Sequence, residues 1–174
     1  LQQDGHIVKI HDFALEGWET KTLIDKKNGF YSIGQSDAVT ENVISDFGPD
    51  ILAISVLYST LLDSAKNIAR IAKKINPKIS VIVGGNCVSN AVVDYKYSQA
   101  DKNSNLPDFI THFEDKNFDY AITGEAEISF QKFVNKKING ENVDNLPGLI
   151  TKTGEKKYKI NPGERIADLN ILPR

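Results

Sequence analysis

The 174-residue chain has a single cysteine, Cys87, and no methionine. One cysteine rules out an internal disulfide and cannot by itself hold a zinc or iron–sulfur centre, so any such cluster would lie outside this segment. A basic excess is missing too: 21 Lys and Arg stand against 23 Asp and Glu, a net charge of −2. The lysine pairs at 26–27, 73–74, 136–137 and 156–157 are scattered along the chain. A phosphate-backbone binder concentrates positive charge on one face, so nucleic acid is not an expected partner. No apolar run approaches the roughly 20 residues that span a bilayer, and no signal-peptide pattern is present. The expected location is cytoplasmic, with no membrane partner. Position 1 is not Met, and Leu1-Gln2-Gln3-Asp4-Gly5-His6 reads as the end of a helix leading into a strand, as in a segment of a longer polypeptide.

What is present is an alternation of strand and helix signals. Ile7 to Phe13 alternates apolar and polar residues and predicts a strand. Asp37 to Phe47 predicts a helix with Val39, Val43, Ile44 and Phe47 on one face, stopped by Gly48-Pro49. Ile51 to Val56 and Ser80 to Val83 are short Ile- and Val-rich runs that predict buried strands. Between them Leu62, Ala65, Ile68, Ala69, Ala72 and Ile75 form the apolar stripe of a helix over 62–75, ended by Asn76-Pro77. Tyr120 to Thr123 predicts another strand, followed by a helix from about Ile128 to Ile138. Residues 90–118 are polar and Asn-rich, and read as an insertion or lid with a short helix candidate at Phe109-Ile110-His112-Phe113. Segments Gly148 to Thr151 and Lys157 to Ile160 flank Gly154-Glu155, a hairpin signal, and the tail after Asn161-Pro162-Gly163 reads as a linker. The expectation is an α/β domain over 1–147, built on a parallel sheet with flanking helices, and a hairpin and linker over 148–174.

In such a sheet, ligands lie beyond the carboxyl ends of the strands. Ser55-Val56-Leu57 and Gly84-Gly85 both stand at such ends. The glycines serve either close backbone approach to a bulky ligand or a tight turn that needs positive φ. Ser55 and Thr60 serve either as hydrogen-bond donors or as caps. Gly124-Glu125-Ala126-Glu127 follows a strand and offers two carboxylates, as acids or as partners of a helix dipole. His11-Asp12 has no second pair at ligand spacing, which favours a surface or strand-end role. Cys87 has no His or Asp placed by sequence to activate it, and reads as a small residue filling space beside the Gly-Gly turn. Asp12-Phe13-Ala14-Leu15-Glu16-Gly17 matches the outline of the Asp-x-His-x-x-Gly cobalamin motif with Ala14 at the histidine position, but follows the wrong strand and is read as coincidence.

Three ordered blocks carry a resemblance: Asp50-Ile51-Leu52-Ala53-Ile54-Ser55-Val56-Leu57-Tyr58-Ser59-Thr60 continuing to Ala65, then Val81-Ile82-Val83-Gly84-Gly85-Asn86, then Phe118-Asp119-Tyr120-Ala121-Ile122-Thr123-Gly124-Glu125-Ala126-Glu127. Together they resemble the N-terminal cobalamin-binding domain of cobalamin-dependent radical SAM enzymes, and the 26 residues between Leu57 and Gly84 match the family's spacing. The resemblance implies a flavodoxin-like (Rossmann-like) sheet holding cobalamin base-off. It implies that Ser55, Val56, Leu57, Ser59 and Thr60 line the tail cavity or the corrin edge. Gly84, Gly85, Asn86 and Cys87 would make room for the nucleotide loop, and Gly124, Glu125 and Ala126 would close the far side. Cys87 stands where many members carry His, so the resemblance implies no direct role for that side chain.

The family's central first strand has no counterpart here. The resemblance therefore implies that it lies upstream of Leu1, or that Thr20 to Ile24 fills part of its place. It further implies a downstream radical SAM barrel on the same polypeptide, with S-adenosylmethionine and a [4Fe-4S] cluster, and methyl transfer from methylcobalamin to a substrate radical. This domain would then have no catalytic residue and no turnover alone. Two alternatives stay open: a parent enzyme of ring formation or rearrangement, as in anaerobic porphyrin ring cyclases, and a flavodoxin-like module binding a flavin or nucleotide or serving regulation. A receiver domain is disfavoured because no acidic cluster accompanies a phosphoacceptor Asp.

Overall fold

The computed structural model describes residues 1–100, 115–154, 157–168, 170 and 172. Strands β3 (Ile51–Ser55), β4 (Ser80–Gly84) and β5 (Tyr120–Ile122) run parallel, and β6 (Leu149–Gly154) and β7 (Lys157–Ile160) continue the same sheet antiparallel, in the order β3-β4-β5-β6-β7. Helix α1 (Asp37–Phe47) precedes β3, α2 (Leu62–Ile75) joins β3 to β4, α3 (Asn86–Ala100) follows β4, and α4 (Glu127–Ile138) follows β5. The α/β architecture expected from the alternating pattern is therefore present, with the hairpin built onto the sheet's edge.

Strand periodicity sorts the core into two layers. Val81 and Val83 face one way, against Leu62, Ala65, Ala69 and Ala72 of α2 and Val88, Ala91 and Val92 of α3. Ile82 and Ile122 face the other way, against Phe133 and Val134 of α4 and Leu149 of β6. A period of two in β4 thus feeds both cores, which is why Val81-Ile82-Val83 is apolar without a break. Small residues on α2 let it lie close to the sheet. At the amino end of the strands, Asp119 accepts hydrogen bonds from the Val81 amide (2.8 Å) and Lys73 Nζ (2.6 Å), which fastens α2 to the start of β4.

Four expectations need correction. Ile7 to Phe13 is not a strand: it has no ladder partner among the described residues, and Ile7 and Ile10 are 88% and 91% exposed. Thr20 to Ile24 does not enter the main sheet, because β1 (Lys21–Asp25) pairs with β2 (Phe30–Ile33) in a separate antiparallel hairpin. On α1 the buried residues are Thr40 and Ile44, while Val39 and Phe47 are exposed, so the apolar face is narrower than its sequence spacing suggests. Residues 90–100 are not insertion but the body of α3, whose stripe of Val88, Ala91 and Val92 is hidden among polar neighbours. The helix candidate at 109–113 lies outside the described residues.

Candidate functional site

The carboxyl ends of β3, β4 and β5 form one rim. Two backbone bonds close it: the Val56 amide donates to Gly84 O (2.8 Å), and the Cys87 amide donates to Val56 O (3.0 Å). The chain leaving β3 therefore lies directly on the Gly-Gly turn. Gly85 has φ +97°, and a Cβ there would fall 2.7 Å from Val56 O and 2.9 Å from Val56 N. A Cβ on Gly84 would meet Ile122 Cγ2 at 3.0 Å. Gly85 is thus required by the protein's own packing and by its positive φ, the tight-turn alternative, whereas Gly84 ends the strand without positive φ and a side chain there would crowd the Ile122 side chain.

The two sides of the rim are bridged by Ser89, a residue that no sequence motif singles out. Its Oγ accepts a hydrogen bond from the Gly124 amide (3.1 Å) and one from Thr123 Oγ1 (3.2 Å), tying the first turns of α3 to the loop after β5. The available signal is its position, one helical turn beyond Gly85, where a hydroxyl faces the neighbouring strand end. Gly124 has φ +82°, and a Cβ added there would meet nothing within 4 Å, so it is a turn residue with open space beside it. Glu125 Oε2 accepts a hydrogen bond from the Ile166 amide (2.7 Å), which makes it a partner of the tail. Glu127 lies in the first turn of α4, where a carboxylate is favoured by the helix dipole.

Ser55, Leu57, Ser59, Thr60, Gly85, Asn86, Gly124 and Glu125 are exposed along this rim, and Ala126 is half-buried. Helix α2 follows Leu61, which makes no side-chain cap bond, so neither Ser55 nor Thr60 is its N-cap. Leu57 and Tyr58 are 52% and 62% exposed, and Leu61 is exposed beside them. Large apolar side chains standing out of a rim of small polar residues suit a broad ligand with an apolar face and polar edges. That chemistry fits a corrin ring with its amide side chains.

Two residues expected at the site belong to the core. Val56 is 1% exposed and Cys87 5%, both in the layer beneath α2 and α3. Their backbones close the rim, and their side chains fill the space below it. Burial also pushes the Cys87 thiol above its usual range by disfavouring the thiolate. Cys87 is therefore expected to react slowly with iodoacetamide in native buffer and quickly in urea; labelling at equal rates in both would contradict its burial.

The remaining motifs are structural. His11 Nε2 is 2.6 Å from Gln35 Oε1 and its Nδ1 is 3.1 Å from Glu16 Oε1, and the ring is partly buried in these contacts, neither on the open surface nor at a strand end. Among the described residues no group of three or more His, Cys, Asp and Glu could hold a metal ion. In the Asp12 to Gly17 segment, Asp12 Oδ1 accepts from the Ala14 and Leu15 amides, and Gly17 is packed so that a Cβ would fall 2.3 Å from Gln35 N. Turn geometry accounts for Asp12 and close backbone packing for Gly17. No helix among the described residues is long and apolar enough to cross a membrane.

The family model described as a B12 binding domain matches residues 2–102. The chain is 25% identical over 162 residues to the cytidylyl-2-hydroxyethylphosphonate methyltransferase of Streptomyces wedmorensis, covering 93% of this chain and 27% of that protein. It is 28% identical over 131 residues to an uncharacterized methyltransferase of Pyrococcus horikoshii, covering 75% of this chain and 25% of that protein. It thus spans about a quarter of the length of these relatives. The solved structure of the radical S-adenosylmethionine methyltransferase TsrM from Kitasatospora setae, with its tryptophan substrate and the analogue aza-SAM bound, is similar in fold, with a TM-score of 0.51 and 13% identity over 72% of this chain and 21% of that one. With the family match covering more than half of its residues and the strand-end rim in place, the chain belongs to the B12-binding domain family.

Proposed function

We propose that this domain holds cobalamin base-off on the rim formed by Ser55 to Thr60, Gly84 to Asn86 and Gly124 to Ala126, within a radical SAM methyltransferase. The observation that carries the reading is the cluster of exposed Leu57, Tyr58 and Leu61 beside two glycine turns at the parallel strand ends. When bound, the cofactor supplies the methyl group; S-adenosylmethionine and a [4Fe-4S] cluster would be held by another part of the same polypeptide. The residues here bind and orient. Leu57 and Tyr58 offer apolar surface, Ser55, Ser59 and Thr60 offer hydroxyls, and the backbone around Gly124 is open to a large ligand because no Cβ shields it.

The sheet edge supports a second part of the proposal. Strand β3 is the last strand on its side among the described residues, so one row of its backbone N–H and C=O groups has no ladder partner there. A further strand paired with β3 would satisfy this edge.

Anaerobic titration of the whole protein with hydroxocobalamin, followed by its visible spectrum, tests the reading. Saturable binding with a base-off shift is expected, and an unchanged spectrum at saturating protein would overturn it. Leu57→Glu places a carboxylate against the proposed apolar face, so it is expected to weaken binding at least tenfold. Because Leu57 is half exposed, the melting temperature should stay within a few degrees of wild type. Equal affinity of the variant and wild type would remove Leu57 from the site.

A further inference from the structure

The tail beyond β7 does not leave the domain directly. Asn161 is pinned by three bonds: its amide donates to Leu149 O (3.0 Å), and its side-chain Nδ2 donates to Asp144 O and Leu146 O (both 2.7 Å). Pro162 O then accepts from the Gly148 amide (3.0 Å), and a Cβ on Gly163 would stand 3.9 Å from Thr123 O. The chain has therefore turned back from β7, over the start of β6, to the end of β5. There the Ile166 amide donates to Glu125 Oε2 at 2.7 Å. Residues 162–165 and 167–168 are exposed, whereas Ile166 is half-buried. A point of docking is thus marked twice, by a hydrogen bond to a carboxylate and by an apolar side chain withdrawn from water.

We infer that Glu125 is a positioning residue that clasps the segment 161–166 over the end of β5 and the start of β6 and makes it a wall of the ligand rim. The inference rests on the cobalamin reading above and adds a residue role to it. Glu125 is well placed for this, because the loop that carries it is fixed from the other side. Ser89 holds the Gly124 amide and the Thr123 hydroxyl, so the link runs from the start of α3 through Gly124 and Glu125 to the tail. A charged acceptor on a backbone N–H forms one of the stronger hydrogen bonds available at a surface. The consequence is coupling: a ligand that orders Gly124 and Glu125 orders the tail as well, and a tail that is displaced loosens the rim. By linkage the effect must be the same in both directions.

The test uses the whole protein as wild type, Glu125→Ala and Glu125→Gln, with hydrogen–deuterium exchange read on peptides covering 161–168, in the presence and absence of hydroxocobalamin. Without ligand, Glu125→Ala is expected to speed exchange of the Ile166 amide by about fivefold, and Glu125→Gln by less, since its amide oxygen still accepts. In wild type, hydroxocobalamin is expected to slow exchange over 161–168; in Glu125→Ala that protection should be lost while the melting temperature is kept. Equal exchange at Ile166 in wild type and Glu125→Ala without ligand would overturn the clasp. The two readings fail separately. Faster exchange in Glu125→Ala together with no cobalamin binding by wild type would uphold the contact and remove the coupling along with the functional proposal.

Discussion

Gly85→Ala is expected to destabilise the domain by about 2–4 kcal/mol and to abolish cobalamin binding. The φ of +97° is one that an L residue adopts at a cost of about 1–2 kcal/mol. The new methyl group would also lie 2.7 Å from Val56 O, against backbone that is itself held by the Gly84 and Cys87 bonds, and overpacking of that kind costs typically about 1–3 kcal/mol. Relief requires Val56 to move, and Val56 is the step from β3 into the rim. Gly124→Ala is the matching control: it has positive φ with nothing within 4 Å, so only the conformational cost of about 1 kcal/mol is expected. Urea unfolding of both variants checks the difference. Equal losses would mean that Gly85 matters for its φ alone.

Phe133→Ala is expected to cost about 3–5 kcal/mol, the usual consequence of emptying a fully buried aromatic site. Phe133 is completely buried, with its ring edge-on to Tyr120 at 5.0 Å and stacked with Phe130 at 6.4 Å. It is the largest fully buried side chain of the layer that joins α4 to Ile82, Ile122 and Leu149. A domain of ordinary stability has about 5–15 kcal/mol in total, so this one change removes much of it and lowers the melting temperature on the order of 10 °C. Phe130, which is only partly buried, should cost less on the same truncation. Thermal melts of the two alanine variants test the order, and a larger loss at Phe130 would contradict the packing.

How much of this was legible in the sequence follows from where the physical signals are local. Helix α2 was readable to its ends because its apolar residues recur at helical spacing and Asn76-Pro77 stops it. Helix α1 and strands β3 to β5 were readable for similar reasons, as was the hairpin of β6 and β7. Helix α3 was not. Its buried residues are few and small, with Ser89 and Asn90 between them and Asn86, Asp94 and Lys96 on either side, so its stripe shows only once β4 is beside it. The Ile7 to Phe13 alternation misleads, since strand formation depends on a neighbour that local pattern cannot supply and the segment is not a strand.

The site divides in the same way. Gly84 and Gly85 were legible as special positions, but their reason, contact with Ile122 and Val56, is a tertiary fact. Leu57 to Thr60 and Gly124-Glu125 do share one rim, because β3, β4 and β5 run parallel. Val56 and Cys87 stand at the rim along the chain, yet their side chains point into the core. The Ser89 bridge and the Glu125 link to Ile166 join residues 34 and 41 positions apart, respectively, and such pairs leave no periodic trace.

The central claim is that cobalamin lies at the carboxyl ends of β3, β4 and β5. A crystal structure of the whole protein loaded with hydroxocobalamin tests it most directly. The account predicts the corrin in contact with Leu57 and the Gly85 and Gly124 turns; a corrin bound at the opposite end of the sheet, near Asp119 and Lys73, would contradict it.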